Sequence, residues 1–264
     1  MKLIRVLVTG AGSGVGQSIT KALKLSKLNL KIITADIGIF NPGLFRYDES
    51  IIIPKVENRN SLKWFIRNIK AKKIDIIMVG SEFEVEFFSK NKKIIEKKTG
   101  VKICVSAYQT VRIAGDKYLT VKFLKENNLP FPKSYIPKSL FHAKKIIEKC
   151  KMPIYLKNRF GTSSRNVFLI NNKKDLSRIF HIVPNPIIQE FAGQRGNDLK
   201  YEYTCSVFFT KQSKLIGPFI ARRQLREGTS WIIEVRNFNF LKPLLIRIAK
   251  LLPSVGSLNI QLRD

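Results

Sequence analysis

Short apolar, β-branched runs alternate with helical stripes through the first hundred residues of the chain. Ile4 to Val8 is such a run, Gly10 to Gly16 is a glycine-rich turn, and Gln17 to Leu25 is a helical pattern that brings Ile19, Ala22 and Leu23 together. Ile32 to Ala35 (closed by Asp36), Ile51 to Ile53, Ile74 to Val79 and Val101 to Val105 read as further strands. Helices are predicted over Ser61 to Lys70, where Leu62, Phe65, Ile66 and Ile69 form one stripe, and over Phe83 to Lys98. Strands alternating with helices imply a mostly parallel sheet covered on both faces, an α/β arrangement.

The rhythm changes around residues 112 to 116, which predicts two domains, 1–112 and 113–264. Asp116 is a helix N-cap in this reading, and Asn127-Asn128-Leu129-Pro130-Phe131-Pro132 stops the helix, because proline biases its predecessor to extended geometry. Beyond it, helices are predicted at Phe141 to Lys149 and Lys173 to Phe180. Strands are predicted at Pro153 to Lys157, Asn166 to Ile170, Pro186 to Phe191, Tyr201 to Phe209, Leu215 to Ile220, Ser230 to Val235 and Ser257 to Arg263. The segment Ala221 to Gly228 reads as a basic loop.

Composition narrows the function classes. With 264 residues, 44% hydrophobic and 25% charged, the chain suits a packed soluble protein and not a disordered or membrane-spanning one. A cytoplasmic location is expected. Cys104, Cys150 and Cys205 are odd in number and lack CxxC spacing, and His142 and His181 are the only imidazoles, so neither a disulfide framework nor a His/Cys metal site is expected. The net charge of +29 invites a nucleic-acid reading. Yet Lys63, Arg67 and Lys70 lie off the apolar stripe of their helix, and lysine is abundant throughout, as a coding bias would produce. Nucleic acid is therefore not the expected partner, although phosphorylated ligands would be attracted.

The segment Thr9-Gly10-Ala11-Gly12-Ser13-Gly14-Val15-Gly16 follows a strand and opens a helix, and Asp36 ends the next strand where an acid would meet a ribose hydroxyl. With Ser106, Tyr118 and Lys122 this supports an alternative reading as an NAD(P)-dependent short-chain dehydrogenase-like protein, Tyr118 being the acid/base and Lys122 lowering its pKa. Seven tyrosines in so lysine-rich a chain yield about one YxxxK pair by chance. The bland reading of the glycines is a tight turn that lets the helix pack on the sheet.

The second half carries the more specific signal. Its motifs are Asp116-Lys117-Tyr118 with Leu124 and Leu129-Pro130-Phe131-Pro132, then Pro153-Ile154-Tyr155-Leu156-Lys157, then Phe160-Gly161-Thr162-Ser163-Ser164-Arg165-Asn166-Val167. Ile188-Gln189-Glu190-Phe191-Ala192-Gly193, Glu202-Tyr203-Thr204 and Gly256-Ser257-Leu258-Asn259-Ile260-Gln261 follow. In order and spacing the chain resembles the ATP-grasp superfamily, most closely its carbamoyl-phosphate-synthase large-subunit-like ligases. The resemblance implies an N-terminal Rossmann-like (pre-ATP-grasp) domain over 1–112, which in relatives shapes an acceptor site, and an α+β ATP-grasp domain over 113–264. It implies ATP and Mg²⁺ as cofactors, with small carboxylate and amine substrates, no membrane partner, and a homo-oligomer left open. Lys117 and Lys157 would hold phosphate, Gly161, Thr162, Ser163 and Ser164 would close over it, Gln189, Glu190 and Phe191 would read adenine, and Glu202 would take the ribose hydroxyls. Arg223 would be catalytic, stabilising a transferring phosphoryl group, and Gln261 would be a metal ligand.

The sequence departs from that family where a Glu and an Asn would complete the metal site after Gln261, because Asp264 is its last residue. One neutral amide oxygen does not make a magnesium site. The expectation is an ATP-dependent carboxylate–amine ligase if those ligands are supplied, with a catalytically inactive nucleotide-binding remnant as the alternative. Asn158 also stands where a Pro is common, and Gln194 to Lys200 lengthens the connection before Glu202.

Overall fold

The computed structural model describes residues 2–161, 166–193, 199, 201–210, 212, 214–226 and 229–263. The chain forms two compact units, one of residues 1–111 with 254–256 and one of residues 112–253 with 257–264.

In the N-terminal unit, β1 (Ile4–Val8), β2 (Leu30–Asp36), β3 (Glu49–Ile52), β4 (Ile76–Met78) and β5 (Lys102–Cys104) form one parallel sheet in the order β3-β2-β1-β4-β5. Successive side chains of a strand point to opposite faces. Leu7, Ile33 and Ile77 accordingly enter one core with Phe65 of α2 (Ser61–Ala71) and Phe88 and Ile95 of α3 (Glu82–Thr99), while Val6, Val8 and Ile32 meet Ile19 and Leu23 of α1 (Gly14–Leu25) on the other face. This is the doubly covered sheet that the alternating pattern predicts. The strand order reverses at β1, leaving a crevice at the carboxyl ends of β1 and β4.

The glycine-rich turn is closed by the protein's own groups. Asp36 Oδ2 accepts from the Gly12 amide at 2.9 Å and from Asn41 Nδ2 at 2.8 Å. A Cβ on Gly12 would lie 2.1 Å from Asn41 Nδ2, one on Gly16 would lie 2.1 Å from the Gly10 carbonyl oxygen, and one on Gly80 would lie 2.3 Å from that of Thr9. These glycines let backbone meet backbone, and Asp36 is engaged by the turn that a dinucleotide would need open. Helix α1 starts three residues earlier than predicted because Ser13 Oγ caps it, accepting from Gly16 N at 2.9 Å.

Helix α4 (Tyr108–Gly115) spans the division between the units, and α5 (Lys117–Glu126) is the first helix wholly in the C-terminal one. The strands β6 (Ser134–Tyr135), β7 (Ile154–Asn158), β8 (Val167–Ile170) and β9 (Pro186–Glu190) form an antiparallel sheet in the order β6-β9-β7-β8. Ile154, Leu156, Ile170 and Ile188 bury against Ala143 and Ile147 of α6 (Leu140–Ile147) and Leu176 of α7 (Lys173–Ile179). A second sheet has the order β12-β11-β10-β13, from β10 (Glu202–Phe209), β11 (Leu215–Arg226), β12 (Thr229–Glu234) and β13 (Gly256–Arg263). Tyr203, Cys205, Val207 and Phe209 alternate into its core, where α8 (Lys242–Lys250) adds Leu245, Ile248 and Ala249.

Two features depart from the sequence expectations. Ala221 to Arg226 is not a loop: it continues β11, paired to β10 through Arg222 and to β12 through Arg226. Its charges are tolerated because each finds a partner across the sheet. Helices α4 and α8 have no counterpart in the predicted elements, and α8 carries a proline in its first turn, where the missing N–H costs nothing.

Gly16→Ala is expected to lower stability by about 2 kcal/mol or more by forcing backbone apart. Gly14→Ala, with nothing within 4 Å of its Cβ position, should be neutral or stabilising by up to about 1 kcal/mol. Urea unfolding of the two variants measures the contrast, and equal destabilisation would contradict the packing role.

Candidate functional site

The site in the C-terminal unit is built around a buried carboxylate. Asp116 is 5% exposed and caps α5, its Oδ1 accepting from the amides of Tyr118 at 2.9 Å and Leu119 at 3.3 Å. Arg159, just past β7, donates to both oxygens of Asp116, at 2.8 and 2.6 Å. Burial pushes the Asp116 carboxyl up, but the guanidinium and the two amides outweigh it and hold the group below the usual carboxylate range. A backbone bridge between Asp116 and Phe160, with Lys117 N donating to the Arg159 carbonyl at 3.2 Å, sews the helix start to the chain leaving β7.

That bracket sets two lysines. Lys117 Nζ donates to the Gly161 carbonyl at 2.7 Å, and Lys157 Nζ donates to Gln189 Oε1 at 2.8 Å, while Gln189 Nε2 donates to Ser134 Oγ at 2.9 Å. Both acceptors are neutral, the main-chain carbonyl of Gly161 and the side-chain carbonyl of Gln189. Burial lowers the pKa of Lys117. For Lys157, burial and then the charge of Lys117 bring it down to about 8, with Glu202 opposing and Arg263 adding to the fall. Both lysines are thus partly desolvated, and both are held by neutral acceptors.

The second sheet supplies a polar face. Alternation puts Glu202, Thr204 and Ser206 of β10 opposite to the buried Tyr203, Cys205 and Val207. They meet β13 in a ladder: Ser206 with Ser257 at 3.1 Å, Thr204 with Asn259 at 3.2 Å, and Glu202 with Arg263 at 3.5 Å. Arg223, across from Glu202 on β11, donates to its Oε1 through Nε at 3.0 Å and Nη2 at 2.5 Å, and to Ser230 Oγ at 3.4 Å. Phe191, following β9, stacks on Tyr155 with centroids 5.5 Å apart and lies under the Arg263 guanidinium at 5.3 Å.

The structure thus brings Lys117, Lys157, Gln189, Glu202 and Gly161 into one electrostatic neighbourhood. Thr162, Ser163 and Ser164 lie outside the described residues. Arg223, expected to be catalytic, is 8% exposed and is bound to Glu202 and Ser230. The Glu190 amide donates to the Lys133 carbonyl at 2.8 Å, which removes it from the donors an adenine ring would use. Gln261 is exposed, and the carboxylate on the neighbouring strand, Glu202, is held by two arginines. Among the described residues no cluster of three or more His, Cys, Asp or Glu is placed to hold a metal. The residues present therefore do not fit the magnesium site expected at Gln261, since magnesium needs several oxygen ligands with carboxylate charge. Arg159 and Arg263, both structural to the site, were not singled out by sequence; the Asp116 cap was a signal for the first, and the i, i+2 alternation past Gln261 for the second.

The dehydrogenase alternative divides across the units: Ser106 belongs to the N-terminal one, Tyr118 and Lys122 to the C-terminal one, and Lys122 pairs with Glu126 at 3.7 Å.

Residues 114–205 match a RimK-like ATP-grasp domain. Coenzyme gamma-F420-2:alpha-L-glutamate ligase of Methanocaldococcus jannaschii is 29% identical over 99 residues, covering 36% of this chain and 34% of that protein. The match therefore spans about a third of that relative's length. N5-carboxyaminoimidazole synthetase of Staphylococcus aureus, solved with ADP, superposes with a TM-score of 0.77 at 17% identity, over 100% of this chain and 67% of that one. The biotin carboxylase domain dimer of Hydrogenobacter thermophilus 2-oxoglutarate carboxylase, solved with MgADP, ADP and bicarbonate, gives a TM-score of 0.76 at 16% identity, over 97% and 60% of the two chains. The stretch 114–205 is thus similar to an ATP-grasp domain, and the chain as a whole has the fold of these structural neighbours. Within that superfamily the matched model is RimK-like, and the carbamoyl-phosphate-synthase-like subtype is not what these matches single out.

Asp116→Ala removes the cap and leaves Arg159 without its partner, and should cost about 2 kcal/mol of stability at pH 7. Asp116→Asn keeps a capping oxygen and should cost less. Because the folded carboxyl lies below its unfolded value, the wild-type advantage is complete above the ordinary carboxylate pKa and shrinks as the pH falls through the folded one. Denaturant titrations at pH 7 and at acid pH measure this.

Proposed function

We propose that the C-terminal unit binds ATP and that the chain serves ATP-dependent ligation of a carboxylate to an amine or similar nucleophile. The observation that carries the reading is the pair of desolvated lysines, Lys117 and Lys157, held by neutral carbonyls beside the Glu202–Arg263 pair. A polyphosphate satisfies this arrangement: its charge replaces the neutral acceptors and removes the repulsion between the ammonium groups. Glu202 uses one oxygen on Arg223 and the other on Arg263, and a carboxylate retains lone pairs for hydroxyl donors, so it suits a ribose. The family match over residues 114–205 and structural neighbours solved with ADP support the same reading.

In the chemistry proposed, a carboxylate oxygen attacks the γ-phosphorus and ADP leaves. The amine nitrogen then attacks the acyl carbon of the mixed anhydride, phosphate departs, and the nitrogen gives up a proton. No protein nucleophile is required. The chain's own part is to neutralise phosphate charge with Lys117 and Lys157, to orient the nucleotide with Glu202 fixed by Arg223 and Arg263, and to keep the phosphates out of water. Magnesium would spread the phosphate charge further, but the described residues provide no ligand set for it.

Thermal-shift titration of the full chain with ATP tests the proposal, since a ligand at 100 times its Kd stabilises by about 2.7 kcal/mol. Lys157→Met should weaken ATP by about tenfold or more, as one charge-assisted contact is lost. Affinity should fall as the pH rises from 7 to 9, because the free Lys157 loses its proton near pH 8 and only the protonated form attracts phosphate. An unchanged melting curve with ATP, or affinity within about twofold in the variant, would refute the assignment.

A further inference from the structure

The N-terminal unit holds a cleft of opposite character. It has a volume of about 300 Å³ and sits at the carboxyl ends of β1, β2 and β4, where the strand order reverses. In a chain of net charge +29 its wall carries three carboxylates, Asp36, Glu57 and Glu84, against one cation, Lys55. Ile37 and Phe83, 51% and 66% exposed, give it an apolar rim.

Glu84 is the telling group. It lies in the first turn of α3, is 5% exposed, and its Oε2 has no hydrogen-bond partner. A buried carboxylate oxygen without a donor costs about 1–3 kcal/mol, a penalty that a bound donor removes. Burial, and then the charges of Asp36 and Glu57, push this carboxyl up to about 7, with only the Thr9 hydroxyl favouring the ionised form. The groups facing it are thus Thr9 from the end of β1, Asp36 from the end of β2, Lys55 and Glu57 from the connection after β3, and Ser81 at the start of α3.

Anions do not suit the cleft. The Gly12 amide, which would face a phosphate, donates to Asp36, and the start of α1 is capped by Ser13. The carboxylates repel negative charge, and Lys55 alone does not offset three of them.

We propose that this cleft binds a small organic ammonium ion, its charged head donating to Glu84 within the Asp36 and Glu57 field and its apolar part lying on Ile37 and Phe83. The site consists of N-terminal residues only, so it stands or falls independently of the ATP reading. Binding of the cation requires Glu84 ionised, so affinity rises as the pH passes upward through 7.

Saturation-transfer NMR on the full chain, with n-pentylammonium as probe and 1-pentanol and pentanoate as matched controls, tests it. The ammonium should bind at least about fivefold more tightly than the alcohol, pentanoate should not bind, and affinity should be greater at pH 8 than at pH 6. Glu84→Gln should weaken the ammonium by about fivefold and abolish the pH difference. Glu57→Gln, in the connection after β3, should weaken it in the same direction and serves if the buried variant does not fold. Equal binding of pentanoate or pentanol, no ammonium binding, or ammonium affinity unchanged in the folded variants would each overturn the proposal.

Discussion

Two half-buried ammonium groups repel each other, and Lys117 and Lys157 are held in place because the chain around them is fixed from several sides. Asp116 is the centre of that restraint. Its carboxylate caps α5, which carries Lys117, and grips Arg159, which ends the strand carrying Lys157. Gln189, tied to Ser134 on β6, supplies the carbonyl that steadies Lys157. In the function proposed above, a phosphate would offset the repulsion between the two ammonium groups.

The two units use the same device with opposite sign. In the C-terminal unit half-buried cations face neutral acceptors. In the N-terminal unit a buried carboxylate, Glu84, has one oxygen, Oε2, without a hydrogen-bond partner among the described residues. Each is a local departure from the rule that desolvated charge is paired. Two other acidic groups show the contrast: Glu202 is bound by Arg223 and Arg263, and Glu49 is held by Lys31 at 2.9 Å and by Lys72.

Much of the fold was legible because its causes are local. The apolar run of β1, the period-2 pattern of β10 and the 3.6-residue stripe of α2 are read without reference to anything distant. The Asp116 cap, the Asn-Asn-Leu-Pro stop and the glycine-rich turn are likewise short-range chemistry, and Asn128 does adopt φ 52° there. The extension of β11 through Ala221 to Arg226 was not legible, because three arginines in six residues look like a solvated loop until Glu202, Glu234 and Trp231 are seen across the sheet.

The sequence by itself determined most of the strands, helices and turns, the resemblance of the second half to ATP-grasp domains, and a set of candidate phosphate lysines, since these follow from spacing along the chain. Only the tertiary structure decided what each charged group faces. Arg223 is committed to Glu202, Asp36 closes its own glycine turn, Gln261 stands exposed on β13, and Glu84 is buried with an oxygen unpaired. The physical reason is range: propensity and patterning act within a few residues, whereas desolvation and Coulomb coupling depend on neighbours that may be a hundred residues away in sequence, and those are fixed only by folding.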